Sequence, residues 1–218
     1  LYTLAEIDGL KRIRYTTSHP LDMHEELYNA HRDIPQLMPF LHLPVQSGSN
    51  RILDAMNRKH TVDKYLEIID KLRAARPEIA FSSDFIVGYP GETDQDHKDT
   101  IDLIKKVEFV QAYSFKYSQR PGTPASVLPT QVPEDIKSAR LEELQNTLST
   151  IQLKFNQSMV GKTIEVLFDR QGKVAHQIVG KTPYMQSVTL DESCSLFGNF
   201  LMVKIKNGYG NSLAGEIA

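Results

Sequence analysis

From its start to about residue 123, the chain alternates short extended runs with segments whose apolar residues recur at three- and four-residue spacing. That is the pattern of repeated βα units around a parallel sheet. Strands are predicted at residues 12–18, 40–46, 80–88 and 112–118. Tyr65, Ile68, Ile69 and Leu72 mark one intervening helix, and Ile101, Ile104 and Val107 another. Thr61 and Thr93 stand at N-cap positions, with Asp96 an acid in the first turn after Thr93. Residues 133–157 read as one long helix: Pro133 suits the first position, Glu134 and Asp135 complement the dipole, and Leu141, Leu144, Leu148, Ile151 and Phe155 form a stripe. After Val160-Gly-Lys the runs shorten to Ile164, Val166 and Phe168, then 177–180, 187–190, and Leu201, Val203 and Ile205. Gly172, Gly180, Gly198, Gly208, Gly210 and Gly215 punctuate them, which suggests a small all-β barrel of oligonucleotide-binding type. The expected division is an α/β segment at 1–132, a connecting helix at 133–158 and the β-barrel at 159–218.

The strands of the first segment carry an unusual feature. A parallel strand covered on both faces reads as a nearly continuous apolar run, whereas each of these alternates. One face is predicted to hold Arg14, Thr16 and Ser18; His42, Pro44 and Gln46; Ser82, Asp84 and Ile86; Ser114, Lys116 and Ser118. The other holds Ile13 and Tyr15, Leu41, Leu43 and Val45, Phe85 and Val87, Tyr113, Phe115 and Tyr117. If helices cover the apolar face, the polar face lines a cleft suited to a polar ligand; a water-exposed sheet face is the alternative.

Composition narrows the classes. Among 218 residues, 40% are hydrophobic and 24% charged, as in ordinary soluble proteins, and no apolar run approaches the length of a membrane span. The expected setting is cytoplasmic, with no membrane partner. One cysteine, Cys194, excludes a disulfide framework and an all-cysteine metal site. The net charge of −2 gives no global attraction to nucleic acid, and from Met159 onward six Lys or Arg face five acids, so any RNA contact rests on local arrangement.

Three motifs fall at carboxyl ends of predicted strands, where βα architectures place their ligands. They are His42-Leu-Pro-Val-Gln-Ser-Gly-Ser49, Ser83-Asp-Phe-Ile-Val-Gly-Tyr-Pro-Gly-Glu-Thr93 and Ser114-Phe-Lys-Tyr-Ser-Gln-Arg-Pro-Gly-Thr123. Alone, each contains a common turn. In this order and at these spacings, together with Ile13-Arg-Tyr-Thr-Thr-Ser-His-Pro20 and the tail, they resemble the radical S-adenosylmethionine (SAM) methylthiotransferases that modify tRNA. The resemblance covers essentially the whole chain and is nearest the MiaB type, which adds a methylthio group to C2 of an isopentenylated adenosine beside the anticodon.

The resemblance implies a partial radical-SAM (β/α) barrel followed by a TRAM domain, an RNA-binding barrel. It also implies two [4Fe–4S] clusters, one that cleaves SAM to a 5′-deoxyadenosyl radical under a reductant and one that supplies sulfur. Gln46, Ser47 and Ser49 would lie by the SAM ribose or methionine, Asp84 and Glu92 would face the same pocket, and Arg120 would meet a carboxylate or phosphate. An inward Asp84–Arg120 ion pair is the rival role for those two. A cluster needs several thiolates together, so Cys194 alone cannot hold one. The expectation is the C-terminal part of such an enzyme, monomeric and inactive alone, with its cysteine triplet upstream. Lys181, Tyr184, Lys204 and Lys206, with Arg170 and Lys173 near a turn, are the tail's candidates for a tRNA anticodon stem-loop, the cations for phosphate and Tyr184 for stacking. Arg51, Arg58, Lys59 and His60 form a second basic group. Other substrates of related enzymes, threonylcarbamoyl adenosine or a ribosomal-protein aspartate, remain open. So do a non-catalytic RNA-binding module and a metal-dependent hydrolase or lyase built on His42, Asp84 and Glu92.

Overall fold

A computed structural model describes residues 1–16, 19–174, 176–192 and 196–218. Cys194 and Ser18 lie outside the described residues. The chain separates into two compact units, Leu1–Leu148 and Ser149–Ala218.

The first unit holds a three-stranded parallel sheet in the order β1 (Phe40–His42), β2 (Ala80–Val87), β3 (Gln111–Lys116). Helices α1 (Tyr2–Ala5), α2 (Glu25–Asp33), α3 (Asn50–Ala55), α4 (Val62–Ala75) and α5 (Asp94–Val107) accompany it. Among the described residues 12–16 of the predicted first strand, pairing is limited to one isolated parallel bridge, Ile13↔Leu37. Helix α4 starts at Thr61, whose hydroxyl accepts from the Lys64 amide, and buries Tyr65, Ile68, Ile69 and Leu72. Thr93 and Asp96 close a reciprocal capping box on α5, satisfying amides that a helix start leaves without intrahelical partners. With Leu41, Leu43, Val45, Phe81, Phe85 and Phe109, these helices form a core with side chains at or near zero exposure.

The alternation in β3 has the opposite phase from the one predicted. In parallel register, Asp84 pairs with Tyr113, Phe85 with Ser114 and Ile86 with Phe115. Paired residues point to the same face, so Tyr113 and Phe115 share the face of Asp84, and Ser114 and Lys116 share that of Phe85. Tyr113 is 53% exposed and Phe115 55%. Ser114 instead accepts from Gln145 (3.3 Å), and Lys116 pairs with Glu134. Alternation shows that a strand has two faces; only pairing shows which one is covered.

Helix α6 (Glu134–Gln157) contributes residues to both units. Its predicted stripe has buried members in Leu144 and Leu148, and its first turns extend the buried face with two cations, Lys137 and Arg140.

The second unit is a closed barrel in the order β4 (Thr163–Gln171), β5 (Ile178–Lys181), β6 (Ser187–Leu190), β8 (Ser212–Ile217), β7 (Phe200–Gly208). All pairings are antiparallel except the parallel pair β6–β8. Val166, Phe168, Ile178, Val188, Val203, Ile205 and Leu213 fill the interior at zero exposure. Asn156, near the end of α6, donates to the Tyr209 and Gly210 carbonyls (2.6 and 3.1 Å) and accepts from Gln186 (2.7 Å), joining two barrel turns. A Cβ on Gly180 would come within 2.5 Å of the Leu167 carbonyl oxygen, and one on Gly215 within 2.5 Å of Val203 Cγ1. Those glycines thus permit strands to pack, besides any part in turns. Among the described residues, no helix is long and apolar enough to cross a membrane.

Candidate functional site

The carboxyl edge of the parallel sheet gathers several predicted site residues. Gln46 follows β1 in a left-handed conformation (φ +80°), unusual for a residue with a side chain, and is 7% exposed. Among the described residues its side chain has no hydrogen-bond partner. On the open face, Asp84 Oδ2 lies 3.6 Å from His42 Nε2, His42 Nδ1 lies 2.9 Å from the Ser82 hydroxyl, and the Tyr113 ring stands edge-on to His42 at 6.1 Å. The side chain that stands beside Asp84 on this face is therefore that of His42. Arg120 sits on the loop beyond β3, exposed, and lines a hollow of about 710 Å³ with Arg58, Met56, Ile86, Phe115 and Tyr117. Ile86 and Phe115 belong to the same sheet face as Asp84, so the hollow continues that face.

Ser47 and Ser49 are differently engaged. Ser47 is fully buried, 3.3 Å from the Thr100 hydroxyl, and accepts from the Ser49 amide. Gly48 donates to Thr100 Oγ1 (2.9 Å), and a Cβ there would lie 2.4 Å from the Asp99 carbonyl oxygen, so this loop can press on α5 only because residue 48 is glycine. Ser49 caps α3 and donates to Asp96 (2.6 Å). Asp96 also pairs with Arg51, which reaches the Gly91 carbonyl at 2.7 Å. Burial pushes the Asp96 carboxyl up, yet hydrogen bonds from Arg51, Ser49 and Thr93 outweigh it and hold the group well below the usual carboxylate range. One carboxylate thereby ties the loops after β1 and β2 together.

Glu92 lies inside this framework. Its carboxylate accepts from the Gly88 amide (2.7 Å) and pairs with Arg140 (2.8 Å). Burial raises its pKa against the opposing pull of that amide and of Arg140. The trio His42, Asp84 and Glu92 is thus not gathered at one point, and among the described residues no three His, Cys, Asp or Glu side chains converge as metal ligands. The second basic group is likewise dispersed: Arg51 is bound to Asp96, Lys59 donates to Asn57 (2.7 Å), and Arg58 lines the hollow. His60 is buried against His19 (3.4 Å), its pKa lowered to about 4 by burial and by His19 and Arg58, against the Val45 backbone hydrogen bond.

In the barrel, Lys204 and Lys206 occupy the outward face of β7, alternating with the buried Val203 and Ile205, and Lys206 pairs with Glu216 (2.6 Å). Lys181 donates to the Met185 carbonyl (3.1 Å) and Ser187 (2.9 Å), and Tyr184 packs edge-on to Phe155 at 5.5 Å. These two are engaged in the 182–186 turn. Sequence reasoning missed Arg140, Lys137, Ser83 and Thr100; the one available signal was the spacing that puts 137, 140, 144 and 148 on one side of α6.

Comparison with known proteins agrees with this architecture. Residues 1–104 match the Radical SAM superfamily and residues 157–218 the TRAM domain. The chain is 60% identical over 214 residues to a tRNA-2-methylthio-N(6)-dimethylallyladenosine synthase of Wolbachia pipientis wMel, covering 97% of this chain and 49% of that protein. It is 59% identical over 215 residues to the protein of that name in Rickettsia rickettsii (strain Sheila Smith), covering 98% and 48%. The chain spans about half the length of the curated relatives it matches. A solved coproporphyrinogen III oxidase from Escherichia coli, described as a radical SAM enzyme, superimposes with a TM-score of 0.52 at 14% identity, over 89% of this chain and 49% of that one. That likeness is one of fold. With its parallel sheet and its closed barrel, the chain joins a region matching the Radical SAM superfamily to a TRAM domain, and along nearly its whole length it is similar to about half of each of these synthases.

Proposed function

We propose that the carboxyl edge of the sheet receives the adenosyl portion of SAM and that the barrel contacts tRNA, within a cytoplasmic, monomeric enzyme that methylthiolates C2 of N6-isopentenyladenosine next to the anticodon. The observation that carries this reading is Gln46: a buried amide, held in a costly backbone conformation at the end of a parallel strand, beside the half-buried Asp84–His42 pair. Strained residues persist where surrounding structure holds them, and they cluster at ligand sites. Gln46 and Asp84 supply acceptors for ribose hydroxyls, and Arg120 and Arg58 place positive charge beside the hollow for a phosphate or carboxylate. Residues 1–132, 133–158 and 159–218 serve as partial barrel, connector and RNA-binding domain.

The donor set of this chain does not fit an iron–sulfur cluster. It has a single cysteine, and a cluster requires several thiolates. In this reading the clusters and the site of their reductant belong to other polypeptide, and this chain alone is inactive.

Titration with SAM and with an anticodon stem-loop tests the proposal. Saturable uptake of both, with SAM perturbing residues around Gln46 and Asp84, is expected. Uptake of RNA with no occupancy of the sheet edge by SAM would favour a non-catalytic RNA-binding module.

A further inference from the structure

We infer that Ser83, assisted by Tyr65, is a positioning residue that builds the bend carrying Gln46 and so sets the affinity of the sheet edge for its ligand. This rests on the proposed function only for what Gln46 touches. Pairing between β1 and β2 runs from His42↔Ser82 to the bridge Gln46↔Phe85, four steps on one strand against three on the other. One extra residue is therefore inserted, a bulge of a kind rare in parallel pairs. The Gln46 amide takes the Asp84 carbonyl (3.0 Å) and the Gln46 carbonyl takes the Ile86 amide (3.0 Å).

The insertion displaces two buried backbone groups, the Val45 amide and the Leu43 carbonyl, from that ladder. Left unmatched, each is costly. The Ser83 hydroxyl serves both: it accepts from the Val45 amide at 2.9 Å and donates to the Leu43 carbonyl at 3.0 Å. The Tyr65 hydroxyl donates to the same carbonyl at 2.8 Å. Both side chains are fully buried on the helix-covered side and touch no open face. A regular ladder would instead give the Asp84 carbonyl to the Val45 amide, leaving Gln46 one position further along and without its left-handed turn. A hydroxyl at 83 makes the bulged register affordable.

The test compares the wild-type chain with Ser83→Ala, reading Gln46 backbone chemical shifts and the affinity for S-adenosylhomocysteine. Gln46 shifts that leave the left-handed range, with affinity falling about tenfold, the size of one lost hydrogen bond to a bound group, support the inference. Shifts and affinity like those of wild type overturn it, as do altered shifts with unchanged affinity. If Ser83→Ala does not fold, Tyr65→Phe keeps the ring and loses one of the two donors to Leu43, and the same readings decide. If the wild-type chain takes up no S-adenosylhomocysteine, the proposed function fails, and the Gln46 shifts alone support or overturn the role of Ser83.

Discussion

Glu92 and Arg140 form an ion pair at 2.8 Å whose carboxylate side chain is 1% exposed and whose guanidinium is 9% exposed. Arg140 also donates to the Glu92 carbonyl (3.2 Å) and pairs with the exposed Asp94 (2.7 Å), so one side chain on α6 holds the loop after β2 and the start of α5. Removing one partner of such a pair strands the other in a medium that disfavours it. Arg140→Met is expected to destabilise the first unit by about 3–5 kcal/mol in denaturant unfolding, and Arg140→Met with Glu92→Gln to recover a large part of that loss.

Asp96 titrates in the opposite sense to Glu92. Its folded-state carboxyl lies below the ordinary value of 3.8, so the folded chain binds that proton more weakly than the unfolded chain. The stabilisation is complete above the ordinary value and is lost as pH falls below it. Asp96→Asn should be clearly less stable than wild type at pH 7, with the gap in melting temperature closing below about pH 4.

His60 gives a second acid-sensitive window. Its pKa falls from 6.5 unfolded to about 4 folded, so the unfolded chain takes up the proton first and stability declines as pH drops from 6.5 toward 4. His31, also lowered to about 4 by burial and Arg76, adds to the same window. Melting curves across that range should show a shallower pH dependence for His60→Leu than for wild type.

The two kinds of glycine in the barrel should respond differently. Gly180→Ala drives a methyl onto the Leu167 carbonyl and Val166, an overpacking expected to cost about 1–3 kcal/mol in the second unit. Gly210 has open space around its Cβ position, and Gly210→Ala should be neutral or stabilising by about 0.5 kcal/mol. Thermal unfolding of the two variants measures the contrast.

Gln46→Gly separates strain from ligand contact. Glycine adopts φ +80° freely, whereas other residues give up on the order of 1 kcal/mol there. The variant should melt at or above the wild-type temperature while its affinity for SAM falls about tenfold.

Periodicity and capping residues announced α4, α5, α6 and four of the five barrel strands, because each depends on neighbours a few positions apart. Strand β8 escaped, since Gly210 and Gly215 looked like turn residues; the role of Gly215 against Val203 appears only when β7 lies beside it. The phase of β3 escaped for the same reason, as nothing local says whether Tyr113 or Ser114 faces the helices. At the site, the strand-end position of Gln46 was legible, but the hydroxyl that holds its register comes from Ser83, a residue distant in sequence. Glu92 looked like a ligand contact because an acid in a glycine-rich loop commonly is one, and its cation waited on a helix assigned to connection.

The parallel pairing of β6 with β8 sets an order of events during synthesis. Because β8 lies between β6 and β7 yet follows both along the chain, the barrel's seam stays open until the final strand has left the ribosome. Until then the edges of β6 and β7 are open to pairing with another nascent chain, a hazard that closure of the barrel removes.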